Sequence, residues 1–88
     1  MIAAVKRIEF EDRGQAYSDF LIDEDDVIVE VLTFMGNAYE FVGHRVVNKI
    51  IKAGTYIALE DAEGITTKLV DAKVVNVIDL TDPEECLP

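Results

Sequence analysis

Most of the side chains on which enzyme chemistry rests are scarce in this chain. Its 88 residues include one cysteine, one histidine and one serine. Cys86 has no partner for an internal disulfide, and Glu84 and Glu85 just before it disfavour the thiolate, so it reads as an idle thiol. His44 has no second His or Cys at ligand spacing, and the window from Phe41 to Leu59 offers no carboxylate to complete a zinc set. It reads as a surface or rim histidine without an acid–base partner nearby in sequence. Ser18 has no histidine close in sequence to activate it. The five glycines (14, 36, 43, 54 and 64) stand apart, so no phosphate cradle is formed. These gaps argue against an enzyme, a metal site or a cofactor. Only Pro83 and Pro88 interrupt the backbone, and Pro83 within Thr81-Asp82-Pro83-Glu84-Glu85 marks the end of regular structure. The expected organisation is one β-rich domain over residues 1–80 and an acidic tail over 81–88. No stretch reaches the roughly 18 apolar residues of a spanning helix. Met-Ile-Ala-Ala-Val-Lys-Arg also places its charges after a short apolar run, the reverse of a secretory leader. A soluble, cytoplasmic protein with no membrane partner is the expectation.

Acid is abundant: eighteen Asp and Glu stand against eight Lys and Arg, for a net charge of −10. The carboxylate-free window from Phe41 to Leu59 holds His44, Arg45, Lys49 and Lys52, a local charge of +3 within a remainder of −13. Such a field steers encounters and rejects like-charged surfaces rather than deciding a fold. It argues against sequence-independent binding to a phosphate backbone, which depends on Lys and Arg releasing counterions. Excess acid also serves plain solubility.

Half of the residues are apolar, enough for one compact core. Ile2 to Glu11 alternates, with Ile8 and Phe10 on one side and Arg7, Glu9 and Glu11 on the other, and it predicts a half-buried strand broken by Asp12-Arg13-Gly14. Tyr17 to Ile22 predicts a second strand and Val27 to Leu32 a third, dense in β-branched residues. Between them Asp23, Glu24, Asp25 and Asp26 form a turn. They do not follow an EF-hand, because the positions that need an acid and a glycine are Val27 and Ile28. Thr55 to Glu60 and Ile65 to Val70 predict a hairpin around Asp61-Ala62-Glu63-Gly64, with Gly64 at positive φ. Asp71-Ala72-Lys73 predicts a short break, and Val74 to Leu80 a last strand with Val74, Asn76, Ile78 and Leu80 on one side.

Asn37 to Ala53 sends conflicting signals. Asn37 with Glu40 forms a capping box, Met35 and Phe41 sit at staple positions, and Gly54 stands at C′. As a helix it would carry Arg45, Lys49 and Lys52 on one face and Val42, Val46, Val47 and Ile50 on the other. Five β-branched residues, two aromatics and Gly43 oppose this, each costing roughly 0.5–1 kcal/mol relative to Ala. Read as strands, Phe34-Met35 and Ala38-Tyr39 flank a Gly36-Asn37 turn, and Lys52-Ala53-Gly54 makes the next one. Consistency with the remaining strands favours this second reading. The expected fold is therefore mainly β, one small barrel of about six short antiparallel strands. The alternative is α+β, with one helix near residues 38–53 packed on the sheet.

The C-terminal hairpin, break and final strand resemble the end of an SH3-like or Sm-like small barrel, where a 3₁₀ turn separates the last two strands. That likeness implies architecture only. Ile8-Glu9-Phe10 through Gly14-Gln15, the acidic turn, and Tyr39-Glu40-Phe41-Val42-Gly43-His44-Arg45-Val46-Val47-Asn48 before a Lys-Ala-Gly turn resemble small uncharacterised proteins of tailed phages. The likeness implies a phage-encoded virion component or host-takeover inhibitor, placed in the virion or host cytoplasm, and no particular activity.

Three functions fit these features. The first is a non-enzymatic protein-interaction module that docks a protein partner, or another copy of itself, through acidic turns (Asp23, Glu24, Asp25, Asp26, Glu60, Asp61, Glu63) and the basic strip (His44, Arg45, Lys49, Lys52). The second is an acidic nucleic-acid mimic that inhibits a DNA- or RNA-handling host protein, a role for which a basic strip is superfluous. The third, an RNA-binding module using Arg45, Lys49 and Lys52, is opposed by the net charge. Stacking of bases on Tyr39 and Phe41 is opposed in the same way, and such rings beside a turn are more often core or barrel lid.

Overall fold

A computed structural model describes residues 3–12, 16–33 and 38–80. Six antiparallel strands form one sheet in the order β3-β2-β1-β6-β5-β4. The strands are β1 (Lys6–Asp12), β2 (Ala16–Ile22), β3 (Ile28–Thr33), β4 (Arg45–Val46), β5 (Tyr56–Glu60) and β6 (Thr66–Asp79). The mainly-β expectation holds.

Alternation explains the strands that were legible. Ile8 and Phe10 of β1, Phe20 and Ile22 of β2, and Ile57 and Leu59 of β5 are buried at two-residue spacing, with Ile28, Val31, Val46, Ala72 and Val74 completing the core. Phe10 and Phe20 meet with ring centroids 4.6 Å apart, and Phe41 closes on Phe20 edge-on at 6.4 Å.

The last two predicted strands are one. In place of a break at Asp71-Ala72-Lys73, β6 runs through all 14 residues, and the irregularity lies in its pairing. Tyr56 pairs with Lys73, but Ile57 pairs with Leu69, so residues 70–72 swing away from β5. From Ala72 onward β6 pairs with β1 on its other edge, so that Lys73 has Tyr56 on one side and Glu11 on the other. A 3₁₀ turn does occur, but at Ala38–Phe41, before β4 rather than between the last two strands.

A second irregularity reverses the predicted sidedness of the end of β6. Glu9 pairs with Asn76 and Phe10 with Val74, leaving Val75 as an extra residue. Such a bulge flips every later side chain to the opposite face. The inward positions are accordingly Ala72, Val74 and Val77, with Asn76 exposed. The Asn76 side chain settles the kink locally, its Oδ1 accepting from the Val77 N–H at 3.0 Å. A similar bulge at Val29, where Leu21 pairs with Glu30 and Ile22 with Ile28, lets Ile28 and Val31 both face inward.

Between β3 and β5 neither sequence reading survives intact. The helix near 38–53 is absent: the chain makes only the single turn at Ala38–Phe41, and Gly43 has φ of 93°, outside the helical region. The β-branched residues prevail over the cap signals, and Val46 enters the core in β4. The strand predicted at Ala38-Tyr39 is part of that 3₁₀ turn, because Phe41 must turn inward to reach Phe20. The turn at Gly36-Asn37, its flanks Phe34 and Met35, the break at residues 13–14 and the acidic tail 81–88 with Cys86 lie outside the described residues.

These bulges curl the sheet into a half-barrel whose two edge strands touch at one end. An isolated bridge joins Val27 to Arg45. Around it Ile28 donates its N–H to the His44 carbonyl, Gly43 to the Ile28 carbonyl and Val46 to the Asp26 carbonyl, each at 2.8 Å. The core faces the inside of this curl.

Phe20 sits fully buried where the ring contacts from Phe10 and Phe41 meet. Phe20→Ala should cost about 3–5 kcal/mol, a large part of the roughly 4–13 kcal/mol expected for a domain of this size. Urea unfolding followed by circular dichroism checks this, and a loss below about 1 kcal/mol would contradict the packing described.

Candidate functional site: the seam between the edge strands

The two acidic turns share one backbone geometry. Asp23 donates its N–H to the Val27 carbonyl at 2.9 Å, Asp26 donates to the Asp23 carbonyl at 3.1 Å, and Asp23 Oδ1 accepts from the N–H groups of Asp25 (2.8 Å) and Val27 (3.0 Å). Asp61 repeats the pattern. Its N–H bonds the Ile65 carbonyl at 3.1 Å, Gly64 bonds the Asp61 carbonyl at 3.1 Å, and Asp61 Oδ1 accepts from Glu63 and Ile65 at 2.9 Å each. The fourth residue of each turn is left-handed: Asp26 at φ 65° and Gly64 at φ 84°. Asp and Gly are the residue types that tolerate that region. Both are type I turns followed by a left-handed residue, and the first aspartate of each is a structural group. The sequence carries the signal as Asp-Glu-Asp-Asp-Val and Asp-Ala-Glu-Gly-Ile, an aspartate two and four residues before the amides it accepts from.

Charge at the tips is what remains for outside contact. Asp23 is only 6% exposed, whereas Glu24, Asp25 and Glu63 are exposed. Glu60 is engaged: Arg45 faces it across the β4–β5 pair and its Nη2 donates to Glu60 Oε1 at 2.9 Å. One member of the predicted basic strip is thus tied to one member of the predicted acidic set.

Backbone pairing gathers these groups around β4. Val27 bridges Arg45 from one side and Glu60 pairs with it from the other, so one acidic turn leads into the seam and the second leaves it. His44 is half-buried, its ring edge-on to Phe41 at 5.4 Å, which joins it to the row of core rings.

Lys49 and Lys52 stand exposed on the loop between β4 and β5. Asn48, which sequence reasoning did not single out, fastens that loop. Its Nδ2 donates to the Tyr56 carbonyl at 2.8 Å and its Oδ1 accepts from the Ala58 N–H at 2.9 Å, extending the ladder beyond Val47 with a side chain in the role of a peptide. At the far end Gly54, at φ 95°, donates to the Val74 carbonyl at 2.8 Å, and Ile51 packs on the core. The loop is therefore held at both ends, and its lysines do not line up with Arg45 on a helical stripe.

Ser18 is buried in β2. Among the described residues no three His, Cys, Asp or Glu side chains come together in a cluster able to hold a metal ion. No described helix is long and apolar enough to cross a membrane. Comparison with protein-family models, with curated proteins and with solved structures returns no match.

Two substitutions test this geometry. Asp23→Ala should destabilise by about 1 kcal/mol because the amides of Asp25 and Val27 lose their acceptor in a part-buried turn, while Asp23→Asn, which keeps Oδ1, should retain most of the stability. Chemical denaturation of both variants checks it, and equal losses would show that the acceptor is not the cause. For Arg45 and Glu60, both partly exposed, a double-mutant cycle to Ala should give only about 0.2–1 kcal/mol of coupling, shrinking in 1 M salt.

Proposed function

We propose that this chain is a non-enzymatic protein-interaction module that docks a protein partner at the seam, led by the acidic turn tips. The observation that carries the reading is the arrangement at β4. Two turns of one geometry adjoin the same short strand, Glu24, Asp25 and Glu63 are exposed, and the intervening Arg45 is already neutralised by Glu60. Carboxylates on rigid turns lose little freedom on meeting a cationic surface, and the −10 charge draws such a surface in. Lys49 and Lys52 then serve as a secondary contact that favours partners with acids at the matching place. The expected phage origin, as virion or accessory component, rests on the residues quoted for it and fits an interaction role.

The Arg45–Glu60 pair also favours a second reading, an acidic mimic of nucleic acid that inhibits a host DNA- or RNA-handling protein. An uncompensated basic strip is superfluous on such a mimic, and the pair removes Arg45 from that count. Competition with DNA for a basic host protein distinguishes the two.

Capture from a bacterial lysate at two salt concentrations tests the first reading. A partner retained by the Arg45→Glu/Lys49→Glu/Lys52→Glu variant, lost with Glu24→Gln/Asp25→Asn/Glu63→Gln and weakened by salt is the expected result. Loss in the strip variant with retention in the tip variant would contradict it.

A further inference from the structure

Strand β5 has a basic surface at one end and an acidic one at the other. At its Tyr56 end lies the loop that carries Lys49, Ile50 and Lys52, all exposed, and at its Glu60 end the turn from Asp61 to Gly64 leads into Ile65. The loop is held by Asn48 and Gly54, and Thr55 adds a third tie, its Oγ1 donating to the Lys52 carbonyl at 2.8 Å. The turn is held by Asp61. The strand between them sets the two surfaces about 17 Å apart, roughly twice the screening length at physiological ionic strength. Neither end neutralises the other within one copy.

An exposed isoleucine is ordinary by itself. Here each end carries one, Ile50 at 64% and Ile65 at 58%, and the charges beside them are equal and opposite. Lys49 and Lys52 give the loop +2; Glu60, Asp61 and Glu63, less the Arg45 that pairs with Glu60, give the turn −2. We propose that the lysine loop of one copy docks on the Asp61–Ile65 turn of a second, with Ile50 against Ile65 and the lysines among the acids of the turn. The contact rests on the docking role proposed for the acidic turns, and it makes another copy the partner. An apolar centre with charges at its rim is the ordinary anatomy of a specific interface. Both surfaces are fixed before they meet, so little freedom is lost. Because loop and turn are different surfaces, the contact is head-to-tail and assembly runs beyond two copies.

Sedimentation equilibrium of the purified full chain, up to about 1 mM because a contact this small is weak, tests the proposal in low salt and in about 1 M salt. Wild type should associate in low salt and return towards monomer in high salt. The loop variant Lys49→Gln/Ile50→Ser/Lys52→Gln and the turn variant Glu63→Gln/Ile65→Ser should each weaken association by roughly 10-fold or more. Both replace exposed side chains only, and urea unfolding confirms their folds. The wild-type concentration and salt series stands even where a variant fails to fold. An equimolar mixture of the variants holds one intact loop and one intact turn, so it should form a heterodimer that stops at two copies. Net charge alone predicts that the turn variant, with one acid fewer, associates more tightly than wild type. That result overturns the proposal, as does a wild type monomeric throughout, a variant that associates like wild type, or a mixture that stays monomeric. Only this chain is present, so a monomer removes the self-contact whatever a lysate returns, and capture from the lysate decides the docking role by itself.

Discussion

The strand β6 is the one element on which both halves of the molecule depend. Its first part pairs with β5, its second part with β1, and the two pairings overlap at Lys73, beyond the irregularity at residues 70–72. Without that handover β1-β2-β3 and β4-β5 would be separate ribbons, each too small to bury its apolar face. The same handover, together with the bulges at Val75 and Val29, supplies the coiling that brings β3 round to β4. Core and seam both follow from one strand that takes a second neighbour partway along.

What the sequence made legible was local. Two-residue spacing in Ile8/Phe10, Phe20/Ile22 and Ile57/Leu59 marks strands without knowledge of their neighbours. The turn at Asp61–Gly64 is written in residue types that suit its dihedral angles. Bulges are different, because an extra residue exists only relative to a partner strand. Val75 is extra only against Glu9 and Phe10, more than sixty residues away, so alternation along β6 alone assigns the wrong face beyond it. The segment after β3 failed for a related reason. Its cap and staple residues fit a helix when taken alone, but the requirement that Phe41 and Val46 reach a core built by other strands outweighs about 1 kcal/mol of capping preference.

The candidate site was legible as a list of charges and not as an arrangement. Glu60 and Arg45 stand fifteen residues apart in sequence, and nothing local couples them; the β4–β5 register does. The acidic turns divide in a way composition does not reveal. Asp23 and Asp61 serve their own backbones, while Glu24, Asp25 and Glu63 face solvent. A chain of −10 with a basic window thus presents acidic tips beside a tethered arginine, and its remaining lysines sit on a loop fastened by Asn48.

The central claim is that the two edge strands meet at Val27 and Arg45 and hold the acidic turns beside one short strand. The flanking bonds make these two residues a non-hydrogen-bonded antiparallel pair, the closer of the two pair types, with Cα atoms about 4.5 Å apart. A nuclear Overhauser spectrum of the labelled protein reads that contact directly. A strong cross-peak between the Val27 and Arg45 Hα protons, together with slow exchange of the Ile28 and Val46 amides, is the result the account predicts. No such cross-peak, with those amides exchanging as fast as exposed loops, would contradict it.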